Sequence, residues 1–320
     1  MRPNSRSRDL SWKYWEAVEG SVPRSFVLTR GKDVLAHAGI VPRTYAYGSD
    51  RLRVLHVIDW AAHHYALGAG VLLMKQLRRF GDVLLSVGGS SYTRGILPQI
   101  GFDSHGTVFT FVRALRPMRI LQPSLNRPAW KLLPRLARNA FWSFSAPVPN
   151  RENWEVRQVL AENTQNLAGA LPTPSATLAV LERTPRMLGH ALMCPISPME
   201  LYALEQHGIV RGYFLLAYPP AQVRLADCWI NSNDPGDWGA LVDCAVHRAR
   251  ENRSAAEFVA YASDPRLSRC LEKAGFHLRG VQSISILAGE GVKLLQATLR
   301  IQMLDNDAAY HHMGKPEFAA

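Results

Sequence analysis

The sequence predicts a mixed α/β protein built from two related sheets with helices on their faces. Three observations carry this. One phrase occurs twice, as VLLSVGGSSYTRGILPQIGF over 83–102 and FVAYASDPRLSRCLEKAGF over 258–276. Each copy is an apolar strand, a small-residue turn, a short helical stretch and then Gly-Phe, and the two Gly-Phe pairs lie 174 residues apart, about one domain length. Upstream of each copy the pattern reads strand then helix, and only the first copy places glycines between the two.

Taken in order, 25–30 (SFVLTR) and 34–40 (VLAHAGI) form a hairpin around Gly31-Lys32-Asp33, and 53–60 (RVLHVIDW) is a third strand. From Gly68 to Phe80, Val71, Leu72, Met74 and Leu77 recur at helical spacing while Lys75, Gln76, Arg78 and Arg79 face water. Gly81-Asp82 ends that helix, and 83–87 is a buried strand. The helix from Ser90 is short because Pro98 removes a backbone donor near its end, and 107–113 supplies a last strand. In the second half, helices are expected at 155–167, 175–182 and 198–205. Strands follow at 209–218 and 222–230, a helix at 236–252, a strand at 257–262 and a helix at 265–273. Two final strands lie near 281–287 and 296–304. The expected organisation is a domain over 1–115, a connector over 116–150, a second domain over 151–310 and a tail over 311–320.

The 320 residues suffice for two ordinary cores, and 47% apolar with 20% charged residues excludes wholesale disorder. No apolar run approaches the roughly 18–20 residues needed to span a bilayer, and the basic start MRPNSRSRDL is followed by no apolar signal region. Cys194, Cys228, Cys244 and Cys270 form no C-x-x-C pair and read as reduced, buried thiols of a cytoplasmic protein. Residues 1–150 hold 21 Lys+Arg against 8 Asp+Glu, and the remainder 16 against 18, so an anionic partner belongs to the first half.

In 113–144, Arg113, Arg116, Arg119, Arg127, Lys131, Arg135 and Arg138 interleave with Trp130, Leu132, Leu133, Leu136, Phe141, Trp142 and Phe144, with no acid before Glu152. This is an amphipathic connector. It either packs its aromatic face on a domain, the reading favoured by Pro128 and Pro134, or lies on an anionic membrane surface. No nucleic-acid-binding module frames these residues, so nucleic acid is not expected as a partner.

The segment LHVIDWAAHHYALGAGVLLMKQL over 55–77 is strand, turn, Gly68-Ala69-Gly70, helix. A helix N-terminus offers unpaired N–H groups and partial positive charge to a phosphate, and glycines allow close backbone approach. Tyr65-Ala66-Leu67-Gly68-Ala69-Gly70, with Ile96-Leu97-Pro98-Gln99-Ile100-Gly101-Phe102 after it, resembles the GNAT superfamily of acyl-CoA-dependent N-acyltransferases. The family loop reads Arg/Gln-x-x-Gly-x-Gly/Ala, with Tyr65 here at its first position, and the next landmark is a helix ending in Gly-Phe. The resemblance covers about 25–115, and 200–290 as a weaker copy, which implies two tandem GNAT-like folds with a degenerate second domain.

What the resemblance implies is an N-acetyltransferase that moves an acyl group directly from acetyl-CoA, or another acyl-CoA, to an amine on a small molecule or peptide, without a metal. The pyrophosphate would rest on the amides of Leu67, Gly68, Ala69, Gly70 and Val71, with Ser90 nearby and the pantetheine arm along Ile58 and Trp60. The family's usual acid, a tyrosine four residues before the Gly of Gly-Phe, is Leu97 here and Leu271 in the second copy. Tyr92 is the substitute candidate. His56 shares strand parity with Ile58 and Trp60 and is the base candidate, its alternative being a packed core histidine; Asp59 points to the other face. His63 and His64 read as surface residues. In the second copy Trp238 replaces the first glycine, and Asp234-Pro235 reads as a helix start. The rival expectation is a catalytically silent GNAT-like protein that binds acyl-CoA or a partner, held at a membrane by the basic connector in one version.

Overall fold

The structure, a computed structural model, describes residues 3–16, 22–121, 129–147, 153–174, 178–289, 292, 297–312, 314 and 318–319. The chain folds into two compact units that do not follow sequence order. The first comprises Met1–Val108, Thr173–Glu182 and Gln282–Arg300, and the second Phe109–Pro172, Arg183–Val281 and Ile301–Ala320.

In the first unit, a helix α1 (Pro3–Leu10) runs into a π-helical turn, Ser11–Trp15. Strands β1 (Ser25–Arg30), β2 (Asp33–Tyr47) and β3 (Asp50–Ala62) form an antiparallel meander, joined by the two-residue turns Gly31–Lys32 and Gly48–Ser49. Each turn has its glycine first, at φ +61° and +58°, where a side chain would be strained. Helix α2 (Ala69–Leu77) returns the chain to β4 (Val83–Val87), parallel to β3. Helix α3 (Ser91–Ile96) and a short 3₁₀ turn lead to β5 (Asp103–Ala114). The unit is completed from far along the chain by β7 (Leu178–Leu181), which pairs with β2, and by Ile284–Ala288, antiparallel to β4. Leu73, Met74 and Leu77 of α2 pack on Ala36, Ala38, Ile40, Leu55 and Leu84 to make its core.

The second unit takes the other part of β5, residues 109–114, antiparallel to β11 (Glu257–Ala262). Beyond β11 come β10 (Gln222–Ile230), β9 (Ile209–Ala217), β8 (Met199–Gln206) and β6 (Glu155–Val159). Helices α7 (Pro235–Glu251) and α8 (Pro265–Lys273) flank β11, and β12 (His277–Ala288) begins in this unit and ends in the first. Helix α4 (Pro117–Leu121) and α5 (Ala129–Ser145) precede β6, and α6 (Pro185–Leu192) precedes β8. A short β13 (Thr298–Leu299) pairs with β7 in the first unit.

The expected helices at 155–167, 175–182 and 198–205 do not form. Residues 155–159 and 199–206 are β6 and β8, 161–170 is a 3₁₀ turn, and 178–181 is β7, with 175–177 outside the described residues. Leucine, alanine and glutamate in MELYALEQ favour a helix only weakly, and pairing on both sides overrides that preference. The cue for the strand is the turn His207-Gly208, where both residues have positive φ (+52° and +75°), as a tight hairpin requires.

The two Gly-Phe phrases fold alike. Gly101 (φ +94°) and Gly275 (φ +78°) end their helical stretches in the left-handed conformation. Phe102 N–H donates to Leu97 C=O at 3.0 Å and Phe276 N–H to Leu271 C=O at 3.0 Å, with Gly101 and Gly275 closing onto Pro98 and Glu272. This is the Schellman cap, and its paired apolar positions, Leu97 with Phe102 and Leu271 with Phe276, are all buried. Leu97 and Leu271, which stand at the positions of the usual tyrosine acid, therefore belong to the caps.

Much of the basic excess of the connector is structural. Arg113, buried in β5, donates to Ala274 C=O at the end of α8 and to Pro147 C=O. Burial lowers its pKa to about 10. Arg116 donates to the carbonyls of Arg250, Asn252 and Ala255 at the end of α7, and Arg119 to Ser254. Cations suit helix C-termini, whose last carbonyls lack internal donors. Arg127 and the side chains of Trp130, Lys131 and Leu132 lie outside the described residues.

Candidate functional site

The first unit's site is organised by one irregularity in β3. Gly39 of β2 faces Asp59 and Ile40 faces Val57, so Ile58 is an extra residue, a β-bulge. The bulge breaks the simple alternation of side chains. Leu55, Val57 and Trp60 pack on the α2 side. His56 instead stacks on Tyr45 at 5.7 Å and lies 1% exposed, and Asp59 engages the N-terminal segment. The shared face expected for His56, Ile58 and Trp60 does not exist. A period of two holds only while every residue has a partner, and Ile58 has none opposite. Parallel pairing of β3 with β4 runs only from Val54–Val83 to Val57–Ser86, so the strands part at the bulge.

Past the bulge the chain turns through His63–Leu67 into Gly68, which has φ +80° and open space around it. Only glycine takes that conformation without strain. The first bond of α2 runs from Leu72 N–H to Gly68 C=O, leaving the Gly70 and Val71 amides at the helix start without helical acceptors. Gly70 has a different reason to be glycine. A Cβ there would sit 3.0 Å from Trp60 Nε1 and 3.3 Å from Ala62 Cβ, and the Gly70 carbonyl accepts the Trp60 indole N–H at 3.0 Å. Leu67 is 94% exposed at the loop tip. A cavity of about 500 Å³ opens beside the loop, lined by Leu28, Arg30, Leu35, Tyr65, Leu67 and Leu72. His63, His64 and Tyr65 form an exposed ring cluster, with His63 and Tyr65 3.7 Å apart. Ser90 caps α3, its Oγ accepting Thr93 N–H at 3.1 Å, after the left-handed Gly88 and Gly89. Tyr92, on the same helix, is 78% exposed.

The polar cluster that sequence reasoning missed surrounds Asp59. The Tyr14 hydroxyl donates to Asp59 Oδ2 at 2.7 Å, and Lys13 Nζ lies 2.8 Å from the same oxygen. Gly39 makes room, since a Cβ there would lie 2.8 Å from the Tyr14 ring. Tyr14 also meets the His37 ring edge-on at 5.5 Å, and His37 Nε2 is 3.1 Å from Ser25 Oγ. Burial first, then the bond to Asp59, pushes the Tyr14 hydroxyl up to about 12, so it stays protonated at neutral pH. The result is a carboxylate held by a cation and a neutral donor at the bulge. Nothing in local spacing links residues 13 and 14 to 59, so no sequence pattern marks this cluster.

In the second unit Asp234 caps α7 by accepting Gly236 N–H at 2.8 Å, and Trp238 is fully buried, donating to Ser232 C=O. A cavity of about 440 Å³ beside α7 is lined by Trp154, Gly236, Gly239, Asp243, Cys270 and Lys273. All four cysteines are buried thiols. Among the described residues no cluster of metal-ligating side chains occurs, and no helix is long and apolar enough to cross a membrane.

No family model matches the sequence, and no curated protein matches it either. Solved structures do. A GCN5-related N-acetyltransferase from Anabaena variabilis has a TM-score of 0.56 at 12% identity over 89% of this chain and 66% of its own. One from Kribbella flavida has a TM-score of 0.50 at 13% identity over 83% and 60%. The N-myristoyltransferase of Saccharomyces cerevisiae, solved with myristoyl-CoA, has a TM-score of 0.56 at 11% identity over 81% and 64%. The chain thus spans about 60–66% of the length of these three. Bulged β3, the parting of β3 from β4, the glycine-led start of α2 and these likenesses together establish that this chain has the GNAT acyl-CoA N-acyltransferase fold.

Proposed function

We propose that the protein is an acyl-CoA-dependent N-acyltransferase, with acetyl-CoA the first donor to test, and that its first unit holds the donor. The observation that carries this is the left-handed Gly68 leading from a bulged, splayed strand into the amide-rich start of α2. The loop amides from Leu67 to Val71 would take the pyrophosphate. The opening between β3 and β4 after Val57 would take the extended arm, whose amides can pair with strand backbone left open there.

Asp59 is the residue best placed to receive the acceptor. It is a charged carboxylate at the bulge, and an incoming ammonium matches it electrostatically. The ammonium gives up a proton to water through Asp59. The amine nitrogen then attacks the thioester carbonyl, the N–C bond forms and the C–S bond breaks, coenzyme A leaves as thiolate, and the nitrogen's second proton passes to that thiolate or to water. A thiol of ordinary pKa near 8.5 leaves readily as the anion, so a dedicated acid is dispensable, consistent with leucine at position 97. His56, packed against Tyr45, serves the core in this reading. The second unit, with Asp234 and Asp237 at the start of α7, is read as a degenerate copy that binds no pyrophosphate.

The test is calorimetric titration of acetyl-CoA and free coenzyme A into wild type and Leu67→Glu. Leu67 is the right position because its side chain is exposed, whereas a side chain at Gly70 would displace Trp60. A carboxylate at the loop should weaken binding at least about tenfold with the fold intact. Equal affinity for both proteins, or no binding by wild type, would remove the phosphate-loop assignment.

A further inference from the structure

We propose that the outward face of α5 docks on an anionic lipid bilayer. The inward side of this helix is anchored. Asn139 is buried, and Trp142 stacks on His277 at 4.0 Å, with the guanidinium of Arg138 4.6 Å and that of Arg279 5.7 Å from its ring. The outward side is apolar. Leu133 is 62% exposed, Phe141 68% and Phe144 88%, and with exposed Ala137 they fall at i, i+4, i+8 and i+11, a single stripe. A helix on an ordinary water-facing surface has the opposite polarity.

Charge identifies the occupant. From Ser104 to Arg151 the chain has eight Lys+Arg and no Asp or Glu. Arg113, Arg116 and Arg119 are turned to helix ends, and among the described residues the cations on and against α5 are Arg135, Arg138 and Arg279. These three stand close enough that Arg279 and Arg135, after burial, lower the Arg138 pKa. A second copy of the chain would set arginines against arginines. A bilayer takes both features: aromatic rings enter the acyl boundary and guanidinium groups meet lipid phosphates. The inference rests on α5 with Arg279 of β12 beside it and stands apart from the proposed catalysis.

The full chain should co-sediment with vesicles of equal phosphatidylglycerol and phosphatidylcholine at low salt, and be released as salt screens the charges. Pure phosphatidylcholine vesicles should retain little. The double variant Phe141→Ser/Phe144→Ser, checked for an unchanged circular-dichroism melt, should partition about a hundredfold less, each ring contributing roughly tenfold. Three results would overturn the proposal: no sedimentation of wild type with anionic vesicles, equal partition of the double variant, or a lipid-free dimer in sedimentation velocity that the double variant abolishes. The last would assign the stripe to a second copy.

Discussion

Asp59 shows how much chemistry a single backbone irregularity can relocate. With Ile58 paired in regular alternation, His56 would share a face with Trp60 and Asp59 would oppose both. With Ile58 bulged out of register, Asp59 comes to Tyr14 and Lys13, and His56 comes to Tyr45. Asp59→Asn keeps the side chain's size and removes its charge. With acetyl-CoA and a panel of primary amines, the variant should release coenzyme A about 10²–10³-fold more slowly at unchanged cofactor affinity. His56→Phe, which preserves a ring against Tyr45, should remain close to wild type. The reverse ranking would return the proton transfer to His56. A readout independent of the acceptor is available in Tyr14. Its hydroxyl is raised first by burial and second by Asp59, so the alkaline difference spectrum between wild type and Tyr14→Phe should show ionisation near pH 12. The sign follows from the neutral form being favoured by folding: that share of stability is complete below about pH 10 and is lost as pH climbs through the folded value. In Asp59→Asn the ionisation should move to lower pH, and an unmoved midpoint would mean that burial alone sets it.

At the scale of elements, the two Schellman caps make identical backbone bonds in different surroundings, which separates strain from packing. A Cβ at Gly101 would meet only Leu287 Cδ1 at 3.4 Å, while one at Gly275 would come to 2.9 Å from Ala146 Cβ and 3.0 Å from Pro147 Cδ. Both substitutions to alanine force a side chain into the left-handed region, at about 1–2 kcal/mol. Gly275→Ala adds a clash against chain that Arg113 holds through the Pro147 carbonyl, about 1–3 kcal/mol more. Thermal or denaturant melts should therefore rank Gly275→Ala as clearly the more destabilised, and equal losses would mean the 146–147 segment yields freely. These caps are legible in the amino-acid sequence itself, because Gly-Phe after a short apolar helix has one mechanical meaning. So are the β1–β2 hairpin, α2, β4, α7 and α8, each marked by glycine, proline or an Asp cap. Strands β6, β7 and β8 are not. The leucines, alanines and glutamates of β7 and β8 suit a helix in isolation, and only pairing partners up to 136 residues away in sequence (Tyr45 with Leu181) or nearer (Leu201 with Leu215) make them strands. The Asp59 cluster is hidden for the same reason, since its members lie 45 residues apart.

For the molecule as a whole, sequence halves and folded units are different divisions. The first unit's β4 has β3 on one side and the late segment Ile284–Ala288 on the other, and β2 takes Val180 and Leu181 from β7. Both additions come from beyond residue 172, so a boundary near 115, natural from the repeat, cuts through a core. Leu84 and Leu85 are fully buried in the complete unit. In a fragment of residues 1–115, β4 would become an open edge bearing a row of unpaired N–H and C=O groups beside apolar side chains, a template for aggregation. Leu287, which belongs to the same core as Leu73 and Leu84, would be missing altogether. The fragment should give no cooperative melt by circular dichroism and should aggregate, while the full chain melts cooperatively. The loop and its glycines are intact in the fragment, so its failure would be one of sheet completion and not of the phosphate site. A soluble 1–115 with a sharp transition would show instead that β4 closes its own edge, and would make residues 1–115 a unit in their own right.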